Sequence, residues 1–578
     1  MTGKKRLYRA VLIATMIWSM TAVFAAATEV FAVEIDPCTA LELQDQLSRP
    51  KTGVETVKLG AGTWNIDRQV KIPAGIILDL NGQTLNGTTG SFVLDGDSAS
   101  IQNGTLQFGG GIIVAAADSN GFIKGVTING AGIQVKANAA IGEISGNTIL
   151  NATEGIRVLD KGKTGNIEKN IIKGTSSHAI VARDSGRIGD ISGNTLTDCK
   201  GHGISLYRGT QVGKITQNYL ENIGGANDYD TGDYAITINA SGEEETFAAE
   251  ITHNTIINAR YASIVVYSEK KGSNSAASRH KGYIIGDIAY NTITGSGTIK
   301  KDVDWIKGDK LECQGAIYVA SYADVRGDIH DNMIKSSYDD GIDIRGGGTV
   351  NNIYNNKINS TSNAGIAVKD KSNVKGNIYN NTVDSSKVYG IFVNTNSEVA
   401  GSVHNNEITD PGQNGVFVTN SATMNVLKEN TITGAGLYGV IAGAKGRINE
   451  ISANVISTKN AKKGMGILSN TGCYIKTINA NRISGKYNSG IRIKSPTGKV
   501  KVTKNTIKCS NPKKIWSTGI SVEGCKKKTI TITANKIKGN KNGTGIRVST
   551  SAAKIKKNKI SKCKNAKSIT KGKYKVVQ

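Results

Sequence analysis

Residues 327–358 read GDIHDNMIKSSYDDGIDIRGGGTVNNIYNNKI, and this stretch decides the fold. It holds one full repeat of the chain: an Asn-x-Ile turn at Asn332, a Gly-Ile-x-Ile strand at residues 341–344, and the next Asn-x-Ile at Asn356. Charged residues alternate with isoleucines along the strand, which predicts a strand with one apolar face. The rest of the chain is predicted to be further turns of this unit, or loops inserted between turns.

The repeat extends over most of the chain. Asparagines that stand two places before an apolar residue mark it, at intervals that are mostly 23 to 25 residues. They are Asn147, Asn170, Asn194, Asn218, Asn254, Asn291, Asn332, Asn356, Asn381, Asn406, Asn430, Asn454, Asn481, Asn505, Asn535 and Asn558, and the run extends backward through Gly125, Asn103 and Asn81. A period in this range indicates a solenoid.

Two solenoid classes share this period. Leucine-rich repeats would need leucines at fixed spacings and helical stretches, which the sequence lacks. The pattern therefore predicts an all-β parallel β-helix of about 19 coils, with the asparagines forming an internal ladder whose buried amides satisfy one another. Residues 39–47 (TALELQDQL) predict a capping helix with Thr39 as N-cap and Leu41, Leu43 and Leu47 against the core. Such a helix would cover the open sheet edge.

The beginning of the chain predicts export. Four basic residues precede an apolar run at 10–27, followed by small residues, which is typical of a secretory signal peptide and competes with a lone transmembrane anchor. The expected mature protein is a soluble monomer outside the cytoplasm, secreted or associated with the cell wall, with no membrane span. The predicted divisions are a signal peptide at 1–32, a cap and first strands at 33–80, a β-helix at 81–495 with insertion loops at 222–314, and lysine-rich coils at 496–578. The seven cysteines are an odd number, so at least one lacks an intrachain partner.

The formal net charge of +26 is concentrated at one end. Residues 496–578 contain 23 Lys or Arg and a single acid, Glu523. No aromatic residues interleave with these lysines as single-stranded nucleic acid requires, so no nucleic-acid partner is expected. Two interpretations stay open: attachment to an anionic cell wall or acidic polysaccharide, or protection of the last sheet edge against pairing.

Two features resemble a known family. The segments GAGTW (60–64) and IPAGIILDLNGQTLNG (72–87), with the repeated GNTI and Gly-Ile-x-Val units, resemble the right-handed parallel β-helix of the pectate lyase superfamily over residues 39–565. The resemblance implies a carbohydrate-active enzyme, first of all a lyase on a uronic-acid polysaccharide. The motifs of a specific lyase family are missing.

Insertions in consecutive coils indicate where a site would lie. The asparagine interval grows to 36, 37 and 41 residues between Asn218 and Asn332, and loops on a rigid scaffold often carry function, although neutral loop growth is the alternative. Aligning the Gly-Ile strands gives an outward strip of polar and aromatic residues, which suits a sugar chain but is also ordinary for β-strands. The predicted substrate-binding residues are Tyr207, Asn239, Tyr267 and Tyr318 on the strip, and Arg279, His280 and Trp305 in the insertions.

Carboxylates are the candidates for chemistry. Clustered acids shift one another's pKa values and suit metal binding or acid–base work, although a turn also uses Asp for local backbone bonds. The predicted catalytic residues are Asp340, Asp343 and Arg345, and the predicted metal ligands are Asp228, Asp230, Asp233 and Asp339. The spacing of the first three ligands resembles half of a calcium loop without its distal Glu, so Ca²⁺ is the one cofactor considered.

The order of the motifs argues against a polygalacturonase site. The Gly-His-Gly at His202 and the acidic pair at Asp339 and Asp340 also occur in that family, but here they stand in the reverse order. The sequence places His202 five coils from Asp340, about 24 Å along the axis.

The functional expectation is a polysaccharide-binding protein that catalyses β-elimination: a cation or Arg neutralises the substrate carboxylate while a base takes the C5 proton. Asp339, Asp340 and Asp343 would bind metal or position the substrate, and Arg345 would neutralise the carboxylate or abstract the proton. The alternatives are a non-catalytic surface or wall-binding adhesin, and a glycoside hydrolase or epimerase.

Overall fold

The computed structural model describes residues 32–49, 53–117, 120–225, 233–240, 244–268, 282–297, 315–512, 515–524, 530–549 and 553–570. These residues form a parallel β-solenoid that confirms the predicted fold class. Each coil contributes one strand to a 20-stranded sheet, called sheet 1, so the solenoid has one coil more than the roughly 19 predicted. The other strands of the coils form a 44-stranded sheet, called sheet 2.

The strands of sheet 1 are Gln69–Pro73, Ser91–Asp95, Ile112–Val114, Ile133–Val135, Ile156–Val158, Ile180–Ala182, Ile204–Tyr207, Ile236–Ala240, Ile264–Ser268, Ile317–Ala320, Ile342–Arg345, Ala364–Val368, Tyr389–Val393, Asn414–Val418, Tyr438–Ala442, Met465–Ser469, Ser489–Lys494, Thr518–Glu523, Thr544–Ser549 and Asn565–Thr570. Sheet 2 runs from Ala32–Ile35 to Lys559–Ser561. The coil that contains strand Ile342–Arg345 contributes three strands to sheet 2: Asp324–Val325, Ile329–His330 and Met333–Ser337.

Isoleucines of successive coils stack in the interior. Ile317 pairs with Ile342, and Ile342 with Ile366, all fully buried. Glycine opens many of these strands, and Ala179, Ala235, Ser263 and Ala316 open four others. A Cβ at Gly341 would lie 2.5 Å from the Ile358 side chain and 2.6 Å from the next glycine's carbonyl oxygen. At Gly341 the glycine is thus a steric requirement of the close packing between coils.

The asparagine ladder is confirmed from Asn147 to Asn558. Asn381 is representative: its Nδ2 donates to Asn406 Oδ1 and to the Ile353 carbonyl, both at 2.9 Å. Its Oδ1 accepts from the backbone N–H of Asn356 at 3.0 Å and from the Asn356 amide at 2.9 Å. Every polar atom of the amide is satisfied, as burial demands.

The backward extension of the ladder was wrong by one residue. Asn81, Asn103 and Gly125 have φ of 52°, 59° and 63°, the left-handed conformation that Gly146, the residue before Asn147, also adopts at 61°. Strand register agrees, because the pairs Val126–Gly104 and Lys124–Ser145 align Asn103 with Gly125 and Gly125 with Gly146. These early asparagines therefore occupy the turn position that precedes the ladder.

The capping helix spans Ala40–Leu47. Thr39 and Glu42 form a capping box, in which Thr39 Oγ1 accepts from the Glu42 N–H and the Glu42 carboxylate accepts from the Thr39 N–H. Leu43 and Leu47 are buried as predicted, but Leu41 is 63% exposed. That prediction was wrong because a residue two places from Leu43 lies on the opposite face of a helix.

The helix covers the first strand of sheet 1. The Gln44 side chain accepts from the Lys71 N–H at 2.6 Å and donates to the Lys71 carbonyl at 3.3 Å, so it satisfies the open edge. In the described ranges no helix is long and apolar enough to cross a membrane. Five of the seven cysteines lie in those ranges and are unpaired: Cys38, Cys199, Cys473, Cys509 and Cys563. The predicted signal peptide falls almost entirely outside them.

Candidate active site

Three carboxylates meet at the start of one strand of sheet 1. Asp339 and Asp340 lie in the turn after strand Met333–Ser337, and Asp343 projects from the outer face of strand Ile342–Arg345. One oxygen of each lies within 4.8 Å of the others. Asp340 and Asp343 are buried, whereas Asp339 is only partly buried. Solvent therefore reaches this trio through Asp339.

A lysine from the next coil neutralises part of this charge. Lys369 Nζ lies 2.6 Å from Asp340 Oδ2 and 2.8 Å from Asp343 Oδ2. The other Asp340 oxygen accepts from the Ala364 N–H at 2.7 Å. Burial alone would lower the pKa of Lys369, but the surrounding aspartates outweigh it and raise the pKa above its usual value. Lys369 is thus a permanently charged clamp on Asp340 and Asp343, and it is unsuited to act as a base.

The remaining carboxyls hold protons unusually well. Burial, and then the charge of Asp340, raise the pKa of Asp339 to about 7. Burial raises the pKa of Asp343 to about 6 although Lys369 opposes the shift. Among the residues that the structure describes, Asp343 Oδ1 has no hydrogen-bond partner. At neutral pH Asp339 is therefore poised between its acid and base forms.

Arg345 supplies the other positive charge of the site. Its Nε donates to Asp370 Oδ2 at 2.8 Å, and its side chain is a quarter exposed. Burial opposes its charge, but Tyr318, Asp343 and Asp370 outweigh burial and raise the pKa further. Its two terminal nitrogens donate to no residue that the structure describes. A planar guanidinium with free nitrogens suits a substrate carboxylate.

Sheet 1 places the predicted strip in register. Tyr207 pairs with Asn239, Asn239 with Tyr267, and Tyr318 with Asp343. Asn239 Nδ2 donates to the Tyr267 hydroxyl. Tyr318 is 1% exposed and packs in an apolar cluster outside the core, against which Tyr267 also packs. Substrate binding by these residues stays a prediction, and Tyr207 and Tyr267 are the tyrosines of the strip with accessible surface.

The predicted metal residues belong to two candidate sites, one with Asp228, Asp230 and Asp233 and the other with Asp339. Asp228, Asp230, Arg279, His280 and Trp305 lie outside the described residues. Asp233 and Asp339 occupy equivalent positions three strand steps apart, about 14 Å along the axis, too far to share an ion. The calcium site stays a prediction.

His202 belongs to the scaffold. It lies four strand steps from the acidic trio, about 19 Å away and not five coils as the sequence suggested. It stacks between His178 and Tyr234, and its Nδ1 accepts from the Tyr234 N–H at 2.9 Å. Burial holds its pKa well below the usual value. The rejection of a polygalacturonase site therefore stands on the corrected distance.

Sequence reasoning missed the role of Lys369. Lys369 occupies the outward position that follows Arg345 in the next coil, and the sequence alone does not show that it pairs with carboxylates of the preceding coil. Lys369 reaches back diagonally to carboxylates 26 and 29 residues earlier. One signal in the sequence could have indicated this ion pair: Lys369 stands at an outward position in the coil that follows the aspartates.

Comparisons with known proteins agree with this architecture. The family model described as "Right handed beta helix region" matches residues 89–243, 234–456 and 389–564, well over half of the chain. No curated protein matches. With the parallel sheets and the stacked asparagine ladder, these matches show that the chain belongs to the right-handed beta-helix family.

Proposed function

We propose that this protein is an enzyme that performs acid–base chemistry on an acidic polysaccharide outside the cytoplasm, with Asp339 as the proton-transfer group. One observation carries the proposal: Asp339 is the partly exposed member of the trio, and its pKa is raised to about 7. A group that titrates near the working pH is the most effective proton-transfer catalyst. Asp340 is ill suited to that role, because Lys369 and the Ala364 N–H occupy its two oxygens.

The first reaction we propose is β-elimination at a uronate. Arg345 binds the substrate carboxylate through its terminal nitrogens and withdraws charge from the C5–H bond. The Asp339 carboxylate takes the C5 proton, the electron pair forms the C4–C5 double bond, and the C4–O bond breaks. The departing oxygen takes up a proton from water, and the hydroxide left behind removes the proton from Asp339, which regenerates the carboxylate and the water. Asp340, Asp343 and Lys369 hold the surrounding charges in place.

A role for Ca²⁺ remains part of the proposal. Within the described part of the chain, the trio has few oxygens left for a cation: Asp343 Oδ1, and the Asp339 carboxyl, which already accepts a hydrogen bond from the Asn363 side chain. Calcium takes six to eight oxygen ligands, so substrate and water would supply the rest. No step above depends on the ion. Activity after chelation and after return of Ca²⁺ tests its involvement.

Glycoside hydrolysis is the second candidate. The same raised pKa leaves about half of Asp339 protonated at neutral pH, as a general acid on the leaving oxygen requires. The two reactions differ in product. Elimination leaves an unsaturated uronate that absorbs ultraviolet light, whereas hydrolysis leaves a new reducing end without that absorbance.

A wall-binding rod is the candidate from another class. Exposed lysines align across the last coils of sheet 2, where Lys536 pairs with Lys559 and Lys508 with Lys538. Such a surface suits an anionic polymer. It is compatible with an enzyme that stays attached near its substrate.

The test is product analysis with the full mature chain on homopolyuronates and on mixed acidic polysaccharides, with Asp339→Asn and Asp410→Asn as paired variants. Asp410 is an exposed carboxylate beside Lys459, in the turn before strand Asn414–Val418, which lies three strand steps from the trio, about 14 Å along the axis. Unsaturated product that is lost in Asp339→Asn and kept in Asp410→Asn supports the lyase. Reducing ends without unsaturation support the hydrolase. Binding without any product leaves the adhesin.

A further inference from the structure

The face of sheet 1 beyond the acidic trio carries no charge over four strands. Tyr389–Val393, Asn414–Val418, Tyr438–Ala442 and Met465–Ser469 contain no acidic or basic residue. Charged strands stand on both sides. Ile342–Arg345 precedes this region by two strands, and Ser489–Lys494 follows it directly.

Aromatic and aliphatic side chains cover this face. We call the following residues the uncharged platform: Tyr389, Phe392, Phe417, Tyr438, Ile441, Met465 and Leu468. The ring centroids of Tyr389 and Phe392 lie 4.5 Å apart, and those of Phe392 and Phe417 lie 5.5 Å apart. Phe417 packs against both apolar clusters of the face, so the platform is continuous. Both clusters are separate from the interior core.

The platform is open to solvent at its rings. Tyr389, Phe417 and Tyr438 are partly exposed. Residues 315–512 are described without interruption, and in this range the loops next to the platform are short. The platform begins two strand steps from Asp343, through Ala367 to Phe392, about 10 Å along the axis. A polysaccharide seated at Arg345 and running toward the C-terminal end would cross it.

The charges nearby limit what that polysaccharide can be. Four aspartates (Asp339, Asp340, Asp343 and Asp370) surround two cations, Lys369 and Arg345. Lys369 is fully engaged, so Arg345 is the one cation of this group with nitrogens left for a substrate. The next arginine in register, Arg492, lies six strand steps from the Arg345 strand, about 29 Å away, and donates to both Glu523 oxygens at 3.0 Å.

A homopolymer of uronates fits this surface poorly. The four strands of the platform offer no cation to a uronate, so a carboxylate placed on them would lie against apolar side chains, which costs free energy. A neutral sugar instead offers a face of C–H groups that packs on an aromatic ring, while its hydroxyls stay in water.

We propose that the uncharged platform binds neutral sugar residues, and that the substrate is a mixed polysaccharide in which a uronate bound at Arg345 is joined to uncharged sugars. This inference rests on the proposed function, because it takes Arg345 as the place of the uronate. It predicts that polygalacturonate and alginate are poor ligands.

The experiment measures binding as retardation of the full mature chain in affinity electrophoresis, with one polysaccharide in each gel. The mixed chains are rhamnogalacturonan backbone, hyaluronan and unsulfated chondroitin; the homopolyuronates are polygalacturonate and alginate. Salt is kept at about 0.5 M, where the Debye length is below about 8 Å, to suppress binding by the basic C-terminal end. The variants are Phe417→Ala and Phe392→Ala, each in the Asp339→Asn background so that no chain is cleaved. Tyr379→Ala is the control, since it removes a stacked, partly exposed ring from sheet 2.

The expected result is retardation by at least one mixed chain, weakened about fivefold to tenfold in each platform variant, as loss of one aromatic contact implies, and unchanged in the control. Unaltered affinity in both variants overturns the proposal, as does tighter binding of the homopolyuronates or no binding at all. A wild-type dimer that Phe417→Ala converts to a monomer also overturns it, because the platform would then join two copies. Binding that depends on the platform but yields no product in the activity assay would refute the enzymatic function and leave the platform proposal standing. Turnover that Phe417→Ala leaves unchanged would refute the platform proposal and leave the enzymatic function standing.

Discussion

Lys369 decides the charge balance of the acidic trio. It is bonded to two buried carboxylates, and burying charges is tolerable only when they are paired. Lys369→Met would leave Asp340 and Asp343 without a counter-charge. We expect the free energy of unfolding to fall by about 3–5 kcal/mol, measured by chemical denaturation.

Two control variants distinguish the effect of losing the ion pair from the effect of losing a lysine side chain on the free energy of unfolding. Lys375→Met removes an exposed lysine of the next turn and is expected to change the free energy of unfolding by less than about 0.5 kcal/mol. The triple variant Asp340→Asn, Asp343→Asn, Lys369→Met removes the charges together and should recover most of the loss. A cost below about 1 kcal/mol for Lys369→Met would contradict this account.

The raised pKa values also predict how stability depends on pH. Folding raises the pKa of Asp339 to about 7 and that of Asp343 to about 6, from 3.8 for both. The folded state therefore binds protons more tightly than the unfolded state. Their contribution to the free energy of unfolding is fully present below about pH 4 and is lost as the pH rises to about 7.

Denaturation midpoints across that window, for wild type and Asp339→Asn, measure this effect. In Asp339→Asn the free energy of unfolding should decrease less as the pH rises, because the amide does not titrate. Equal slopes for the two proteins would mean that Asp339 titrates normally.

At the scale of the element, the asparagine ladder provides a repeated hydrogen-bond unit. Asn381→Ala removes an amide that makes hydrogen bonds to both neighbouring coils and leaves buried groups unsatisfied. An unsatisfied buried group costs about 1–3 kcal/mol, so we expect a loss of about 3 kcal/mol in thermal or chemical unfolding. Asn449→Ala, which removes an exposed amide stacked on Asn425, is the control and should be nearly neutral. Similar losses in the two variants would contradict the ladder's role.

These elements show why the fold could be predicted from the sequence. Asn381 and Gly341 each answer a local requirement of one coil, and the requirement recurs every 23 to 25 residues. Repetition thus tests the interpretation many times along the chain. The errors arose where repetition gave no help: at the single helix, where Leu41 faces outward, and at the ladder's beginning, where Asn81 and Asn103 lie one position early.

The site could be predicted less fully, for a physical reason. Asp339, Asp340, Asp343 and Arg345 were found because they are close in sequence. Their roles depend on neighbours in the next coil, Lys369 and Asp370, and on burial that alternation alone does not reveal. For this reason we propose Asp339 as the proton-transfer group, on its partial exposure and raised pKa. The sequence predicts Asp340, Asp343 and Arg345 as catalytic residues and Asp339 as a metal ligand.

On the scale of the whole molecule, charge is separated from the candidate site. The lysine-rich coils carry almost all of the net charge, and the acidic trio lies in the nearly neutral middle. We expect replacement of Lys508, Lys536, Lys538 and Lys559 by Gln to weaken retention on immobilised polyphosphate and to flatten its salt dependence. Activity on a soluble substrate should be unchanged.

The matched control is replacement of four exposed lysines of the central coils, Lys335, Lys357, Lys375 and Lys387. It removes the same charge from a part of the chain that has no excess of lysine. If both sets weaken retention equally, binding follows net charge alone and the C-terminal coils are not a specific attachment surface.

Proton transfer by Asp339 underlies the proposed chemistry, and the pH dependence of turnover reports on it. The initial rate of unsaturated product formation is measured from pH 5 to 9 for wild type, Asp339→Asn and Asp410→Asn. If Asp339 is the base, the wild-type rate rises with pH to a plateau above about 7, because the carboxylate form is active. Asp410→Asn should follow the same curve, while Asp339→Asn should lose about 100-fold or more in rate, with its fold intact by circular dichroism. A rate in Asp339→Asn equal to wild type, with the same rise near pH 7, would contradict the account.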